Sequence, residues 1–308
     1  MSEHTPRHCL TLLDLSVDEL KAIFQRTSEL KQLRRSRTPH ETLRGRVLGM
    51  VFEKSSTRTR VSFEAGMAQL GGSTIFMSGN DTQLGRGEPI EDMAKVTSRM
   101  LDVIAIRTYD HGMLERFAGN SRVPVINALT DLYHPCQVLA DVFTFEEHRG
   151  SIANRNVAWI GDGNNMCHSF INAAHLFGFN LRVATPAGYE PEEHVLAAAG
   201  NRVSLGNDPA QAVHGADLVV TDVWASMGQE EEQRQRETVF ADYQVNDALL
   251  AGSTDESLVM HCLPAHRGEE ISSEVIDGPH SVVLREAENR LHLQKALIAW
   301  LLKAPETA

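Results

Sequence analysis

Guanidinium, hydroxyl and imidazole groups collect just past the apolar runs in the first half of this sequence, where an anion could be held. Residues 47–52 are apolar and run into Glu53-Lys54-Ser55-Ser56-Thr57-Arg58-Thr59-Arg60. Free backbone N–H groups at a helix start, with Ser/Thr hydroxyls and guanidinium beside them, suit a phosphate. The same string also reads as an ordinary Ser/Thr helix cap followed by solvated arginines. It lacks the GxxxxGK[ST] pattern, so a nucleoside triphosphate is not implied. The run 103–106 ends in Arg107, and the run 123–126 leads to His134-Pro135-Cys136-Gln137. An imidazole there can donate to a carbonyl oxygen, and Gln137 can hold an amide. A lone His or Arg at such a place is commonly a solvated loop residue. Three donor-rich ends in one half of the chain point to a single anionic ligand.

The second half offers different groups. Residues 157–160 run into Gly161-Asp162-Gly163-Asn164-Asn165, which opens like a GxGxxG dinucleotide fingerprint. Met166 stands in place of the third glycine, and Ala184-Thr185-Pro186 ends the next run without an acid, so NAD is disfavoured. Asp222 follows the run 218–221 and either reads an ammonium group or caps a loop. The acidic stretch 230–232 beyond it reads as solvated and mobile. In His261-Cys262-Leu263-Pro264-Ala265-His266, the HCxxxH spacing admits a metal reading with only two ligands, or a Cys–His nucleophile pair with no acyl-transfer signature around it. Arg290, near the start of the last helix, reads locally as a surface residue.

These groups need strand ends to position them. Ser16 with Glu19 forms a capping box before Leu20, Ile23, Phe24 and Leu30 at helical spacing. Strands are expected at 47–52, 74–77, 103–106 and 123–126, with helices at 62–70, 90–101 and 137–148. After Gly150 the alternation restarts, with strands at 157–160, 181–184, 203–205, 218–221 and 258–260 and a closing helix at 286–302. Strand–helix alternation with near-continuous apolar strands reads as an α/β protein of two parallel sheets flanked by helices. Ligands of such sheets bind beyond the carboxyl ends of the strands.

Composition narrows the class further. The 308 residues carry 29 Lys and Arg against 41 Asp and Glu, a net charge of -12, which opposes a nucleic-acid partner. No apolar run approaches the ~20 residues of a membrane-spanning helix. The first residues resemble neither a signal nor a transit peptide, so a cytoplasmic location is expected. Cys9, Cys136, Cys167 and Cys262 are scattered without a CxxC pair, and neither disulfides nor structural zinc are expected.

Taken together, these strings resemble the aspartate/ornithine carbamoyltransferase family over nearly the whole chain. FEKSSTRTRVSFE at 52–64 resembles its carbamoyl phosphate signature and HPCQ at 134–137 its HPxQ motif. DVWASMG at 222–228 resembles the DxxxSMG loop of the ornithine branch, and HCLP at 261–264 that branch's motif. The aspartate branch carries a PLPR-type string at the place of 263–266.

The resemblance implies two domains joined by interdomain helices, with the active site in the cleft. Residues 1–149, completed by the helix 286–308, would bind carbamoyl phosphate, and 150–285 ornithine. The implied activity is carbamoyl transfer to ornithine's side-chain amine; putrescine or an N-acylated ornithine is the nearest alternative acceptor. Ser56, Thr57, Arg58 and Thr59 would cradle the phosphate, and Arg107 and His134 would polarise the carbonyl. Gln137 and the backbone at Cys262-Leu263 would hold the carbamoyl NH₂, with Pro135 and Cys136 in the same loop and Arg290 completing the pocket. Asn165, Asp222, Ser226 and Met227 would read ornithine, and Cys262 would line the amine. Gln83 would reach a neighbouring subunit's site, which implies a homotrimer or a multiple of one. Neither cofactor nor metal is implied. The acidic segment from Ser226 to Glu232 is expected to be mobile until ornithine docks after carbamoyl phosphate.

Overall fold

The computed structural model describes residues 6–79, 87–225 and 232–305, so Gln83, Ser226, Met227 and the expected mobile segment up to residue 231 lie outside the described residues. The chain forms two compact units, Met1–Leu139 with Arg290–Ala308, and Ala140–Asn289. Each is built on a parallel sheet flanked by helices.

The first unit opens with α1 (Val17–Arg35). Its Ser16 side chain accepts from the Glu19 N–H while Glu19 returns to the Ser16 N–H, the capping box expected from sequence. Then follow β1 (Val47–Phe52), α2 (Thr57–Gln69), β2 (Ser73–Ser78), α3 (Ile90–Thr97), β3 (Val103–Arg107), α4 (His111–Asn120), β4 (Val125–Leu129) and α5 (Pro135–Arg149). The strands are parallel in the order β2-β1-β3-β4. The order reverses direction between β1 and β3, and such a switch point opens a crevice beyond the strand ends. Arg58 and Arg107 follow from those two strands.

In the second unit come β5 (Asn156–Ile160), α6 (Asn165–Phe177), β6 (Asn180–Ala184), α7 (Glu193–Ala198), β7 (Val203–Gly206), α8 (Pro209–Val213), β8 (Leu218–Thr221), α9 (Gln233–Val239), α10 (Asp247–Leu250), β9 (Leu258–His261) and α11 (Ser273–Ile276). The strands are again parallel, in the order β7-β6-β5-β8-β9. The switch point lies between β5 and β8, and Asn164 and Asp222 stand beyond those ends.

Three boundaries differ from the sequence reading, the first two in ways that matter for function. Helix α2 begins at Thr57 rather than residue 62, because Ser56 is its N-cap and accepts from the Thr59 N–H at 3.3 Å. The polar string is therefore the first helical turn itself. Strand β4 runs from Val125 to Leu129 rather than 123–126, carried through by Asn127, which is fully buried. Helix α3 stops at Thr97 instead of reaching 101, and Met100 is left exposed.

The last helix, α12 (Val283–Leu301), brings a charged side chain into the core of the first unit. Lys295 is fully buried; its Nζ donates to Gln69 Oε1 at 2.9 Å and lies 3.1 Å from His40 Nε2. Gly66 of α2 makes room for it, since a Cβ there would stand 3.1 Å from Lys295 Cγ. Burial, then the charges of Arg34 and Arg26, push the Lys295 amine down to about 8. Below pH 8 the ammonium is charged in both the folded and the unfolded chain, and its burial costs stability. Between 8 and the ordinary 10.5 the folded chain has released a proton that the unfolded chain still binds, so stability gains as pH rises. Urea unfolding of the natural protein and of Lys295→Met across that window should show the natural protein gaining on the variant with pH. Parallel curves would show that Lys295 titrates as an exposed amine.

Candidate active site

The helix start of α2 supplies the first anion-binding groups. Ser56 Oγ donates to Thr59 Oγ1 at 3.0 Å, and Arg290 Nη2 donates to the same Thr59 oxygen at 2.6 Å. Thr59 and Arg290 are buried, Ser56 and Arg58 partly so, and Thr57 is exposed. Arg290 is thus no surface residue; α12 carries it to the phosphate-type cap. A cavity of about 350 Å³ lined by Ser55, Ser56, Thr57 and Arg60 opens beside this turn.

Arg107 is the last residue of β3, and His134 stands immediately before α5, with Pro135 at its first position, where a missing N–H costs nothing. His134, Cys136 and Gln137 are buried. Burial, then the guanidinium charges of Arg290, Arg107 and Arg58, hold the His134 imidazole well below its ordinary range. It is neutral at neutral pH and has a ring N–H to donate. Burial pushes the Cys136 thiol up to about 12, so it packs as a thiol and donates to Asn127 O at 3.5 Å. The carbamoyl phosphate residues named from the first half, Gln83 excepted, therefore converge at the carboxyl ends of β1, β3 and β4.

The loops themselves are clipped together by residues that the sequence reading passed over. Lys54 pairs with Asp131 and lies 4.0 Å over the Tyr109 ring, while Thr108 donates to the Glu53 carboxylate. Each joins two strand-end loops. The alternation of types gives Lys54 no signal of its own, because a lysine after a strand usually points to water.

In the second unit Asp222 is the centre. Its carboxylate accepts from Cys262 Sγ at 3.0 Å, Asn164 Nδ2 at 3.0 Å and the Val223 N–H at 2.8 Å. Asn164 also caps α6, accepting from the Met166 and Cys167 N–H groups, so the capping side chain fixes Asp222 as well. Asn165 begins the helix and is half-buried. Arg236 of α9 pairs with Asp162 at 2.8 Å and donates to Trp224 O at 2.7 Å, tying the β5 loop to the β8 loop.

Three local readings are resolved by this geometry. Cys262 bonds Asp222, not a histidine, and burial followed by the Asp222 charge pushes its thiol well above the ordinary range. A Cys–His nucleophile pair is not formed. His261 accepts the Leu263 N–H on Nδ1 at 2.9 Å and meets Glu270 Oε1 through Nε2 at 2.8 Å, so both ring nitrogens are engaged within the turn. Leu263 itself has φ 56°, a conformation unusual for a branched residue. Finally, a Cβ on Gly163 would stand 2.3 Å from Pro191 N and 2.6 Å from Tyr189 O. The second glycine of the apparent fingerprint faces this chain's own backbone, where a dinucleotide would need its pyrophosphate.

Relatives share the chain's sequence and fold over nearly its full length. Residues 7–147 match the model of the aspartate/ornithine carbamoyltransferase carbamoyl-P binding domain, and residues 153–301 that of its Asp/Orn binding domain. The chain is 62% identical over 296 residues to the ornithine carbamoyltransferase of Halorhodospira halophila, covering 96% of this chain and 99% of that one. It is 61% identical over 297 residues to a Pseudomonas aeruginosa protein named ornithine carbamoyltransferase, anabolic, covering 96% and 97%. Among solved structures, ornithine carbamoyltransferase from Burkholderia thailandensis matches with a TM-score of 0.90 at 51% identity, covering 96% of this chain and 98% of that one. The Pyrococcus furiosus enzyme matches at 0.93 and 46%, covering 97% and 98%. By motif, fold and full-length identity, the chain belongs to the aspartate/ornithine carbamoyltransferase family.

Proposed function

We propose that this enzyme transfers the carbamoyl group of carbamoyl phosphate to the side-chain amine of L-ornithine, giving L-citrulline and phosphate. The observation that carries the chemistry is the set of Arg58, Arg107 and Arg290 charges around a buried, neutral His134. The acceptor is supported by relatives above 60% identity over nearly the full chain that are named for ornithine. One of them is designated anabolic, which favours the biosynthetic direction.

The first unit binds carbamoyl phosphate. Ser56, Thr57, Arg58 and Thr59 hold its phosphate, Arg290 completes the pocket, and Arg107 bridges from phosphate towards carbonyl. Arg107 and His134 donate to the carbonyl oxygen, while Gln137 takes the carbamoyl NH₂ together with the backbone at Cys262-Leu263. Pro135 and Cys136 fix the loop between them. In the second unit Asn165, Asp222, Ser226 and Met227 read ornithine's α-amino and α-carboxylate groups. Asp222 is the group that separates acceptors, since putrescine has no α-amino acid moiety to be read and an acylated amine is no cation. Gln83 completes a neighbouring subunit's site in a homotrimer or a multiple of one. The trimer rests on the family resemblance, and a cytoplasmic location on the expectation from sequence.

Chemically, a neutral amine attacks the carbonyl carbon of a mixed anhydride. The C–N bond forms as the carbonyl becomes an oxyanion; the oxyanion then collapses, the C–O bond to phosphate breaks, and the nitrogen's proton passes to the departing phosphate. Donors placed where charge grows are the usual largest contribution to such rates. Cys262, held as a thiol, lines the amine and takes no covalent part. Ornithine's amine has an ordinary pKa near ~10, and desolvation beside the cationic phosphate pocket favours its neutral form. No cofactor enters this chemistry.

Three outcomes test this reading. With carbamoyl phosphate present, ornithine should yield citrulline, while putrescine, aspartate and N-acetylornithine should react at least about 10²-fold more slowly, the margin expected when buried polar groups lose their partners. Equal turnover with putrescine would remove Asp222 as the acceptor reader. Arg58→Gly should lower turnover by roughly 10²-fold or more if its guanidinium meets developing charge; near-normal turnover at saturating carbamoyl phosphate refutes that role. Because His134 titrates well below the usual imidazole range, kcat/KM for carbamoyl phosphate should pass through pH 6.5 without an inflection. An acid limb there that disappears in His134→Ala would show that the imidazole is charged in use.

A further inference from the structure

The loop that carries His134 is built on a buried amide to which neither motif nor composition draws notice. Asn127 is fully buried inside β4, where an unbonded amide would be costly. Its backbone N–H donates to Cys9 O at 2.8 Å, in the parallel bridge that the N-terminal segment makes with β4. Its side chain has two amide hydrogens to place. One goes to Leu10 O at 2.8 Å; the other points between Tyr133 O at 3.4 Å and Thr130 Oγ1 at 3.5 Å. Its own carbonyl accepts the Cys136 thiol at 3.5 Å. Thr130 closes the loop by donating its N–H to Tyr133 O at 2.9 Å and accepting the Tyr133 N–H on Oγ1 at 3.1 Å. Asn127 thus touches the residue before His134 and the second residue after it, and anchors both to the N-terminal segment.

We propose that Asn127 is a positioning residue for carbamoyl transfer: its side-chain amide sets the placement of the His134 imidazole by tying Tyr133, the residue before it, to the N-terminal segment at Leu10. The proposal rests on the reading of His134 as a carbonyl donor given above. A donor misplaced by an ångström loses on the order of 10²-fold in rate, and Asn127→Ala removes the side-chain bonds to Leu10 O and Tyr133 O while the backbone bonds to Cys9 and Cys136 stay. Asn127→Ala should lower kcat/KM for carbamoyl phosphate by roughly 10- to 100-fold, with the ornithine KM little changed.

The decisive experiment is a double-mutant cycle with His134→Ala, read both as turnover per folded molecule and as carbamoyl phosphate affinity by calorimetry. If Asn127 acts through His134, adding Asn127→Ala to His134→Ala should change neither readout by more than roughly threefold. Effects that multiply in the double variant would overturn the proposal. So would an Asn127→Ala protein with a lowered melting temperature and undiminished turnover per folded molecule. Should Asn127→Ala fail to fold, judged by circular dichroism, Thr130→Val takes its place in the cycle, being nearly isosteric and part of the same turn. If the parent binds carbamoyl phosphate yet makes no citrulline, the ornithine reading fails alone, and the affinity arm still decides whether positions 127 and 134 are coupled.

Discussion

Like charges brought close together are the constraint on which the first unit depends. Arg58, Arg107 and Arg290 come from α2, β3 and α12, and each acts on His134. Three guanidinium groups repel one another, and partial burial removes the water that would screen them. Burial disfavours an imidazolium among them and the guanidinium charges add to that, so the ring stays neutral and remains a donor. A dianionic ligand would relieve this arrangement. The clips at Glu53–Thr108 and Lys54–Asp131 then have a clear physical purpose: they hold loops in place that electrostatics alone would push apart.

The second unit solves the opposite problem with the same topology. Its switch point gathers donors around the Asp222 carboxylate, and the neighbouring ionisable thiol is kept protonated as one of them. A parallel sheet that reverses strand order offers one crevice, and both units place their chemistry there. In the first unit helix N-termini and arginines make it anion-seeking. In the second a strand-end carboxylate, fixed by the cap of α6, makes it suited to an ammonium group. A cavity of about 380 Å³ at the amino ends of β5 and β8 is lined by His148, Arg149, Glu256 and the Arg155–Asp217 pair at 3.2 Å, and by none of the site residues named from sequence.

The sequence was most legible where a side chain's type and its position agree. Strand β8 and the start of β1 follow from unbroken apolar runs, and the Ser16–Glu19 box from capping chemistry. Arg58, Arg107, His134 and Asp222 stood out because polar groups just past apolar strands have few structural uses. Legibility failed where polar residues build structure from within. The first turn of α2 has no apolar periodicity, since its side chains face a ligand site rather than a core, and so the helix was expected five residues late. Strand β4 was expected to end before Asn127, because an amide inside a strand reads as a break. Arg290 looked like surface, because only packing along α12 reveals its bond to Thr59. The dinucleotide fingerprint opened by Gly161 and Gly163 is disfavoured already by its missing third glycine, and Gly163 serves the approach of the chain's own backbone at Tyr189 and Pro191.

Protonation states close the argument about mechanism. Burial moves His134 down and Cys262 up, and in both cases the neutral form is left. A neutral imidazole cannot stabilise charge as a cation, so its contribution is a directed hydrogen bond, whose value depends on placement rather than on field. A neutral thiol cannot compete with the incoming amine as a nucleophile, which protects carbamoyl phosphate from attack by the protein itself. Fixed positive charge is thereby left to arginines, which do not titrate in the working range. The rate then hangs on one proton, that of the ornithine amine, and on a donor geometry held by buried amides and loop clips distant in sequence from the groups they serve.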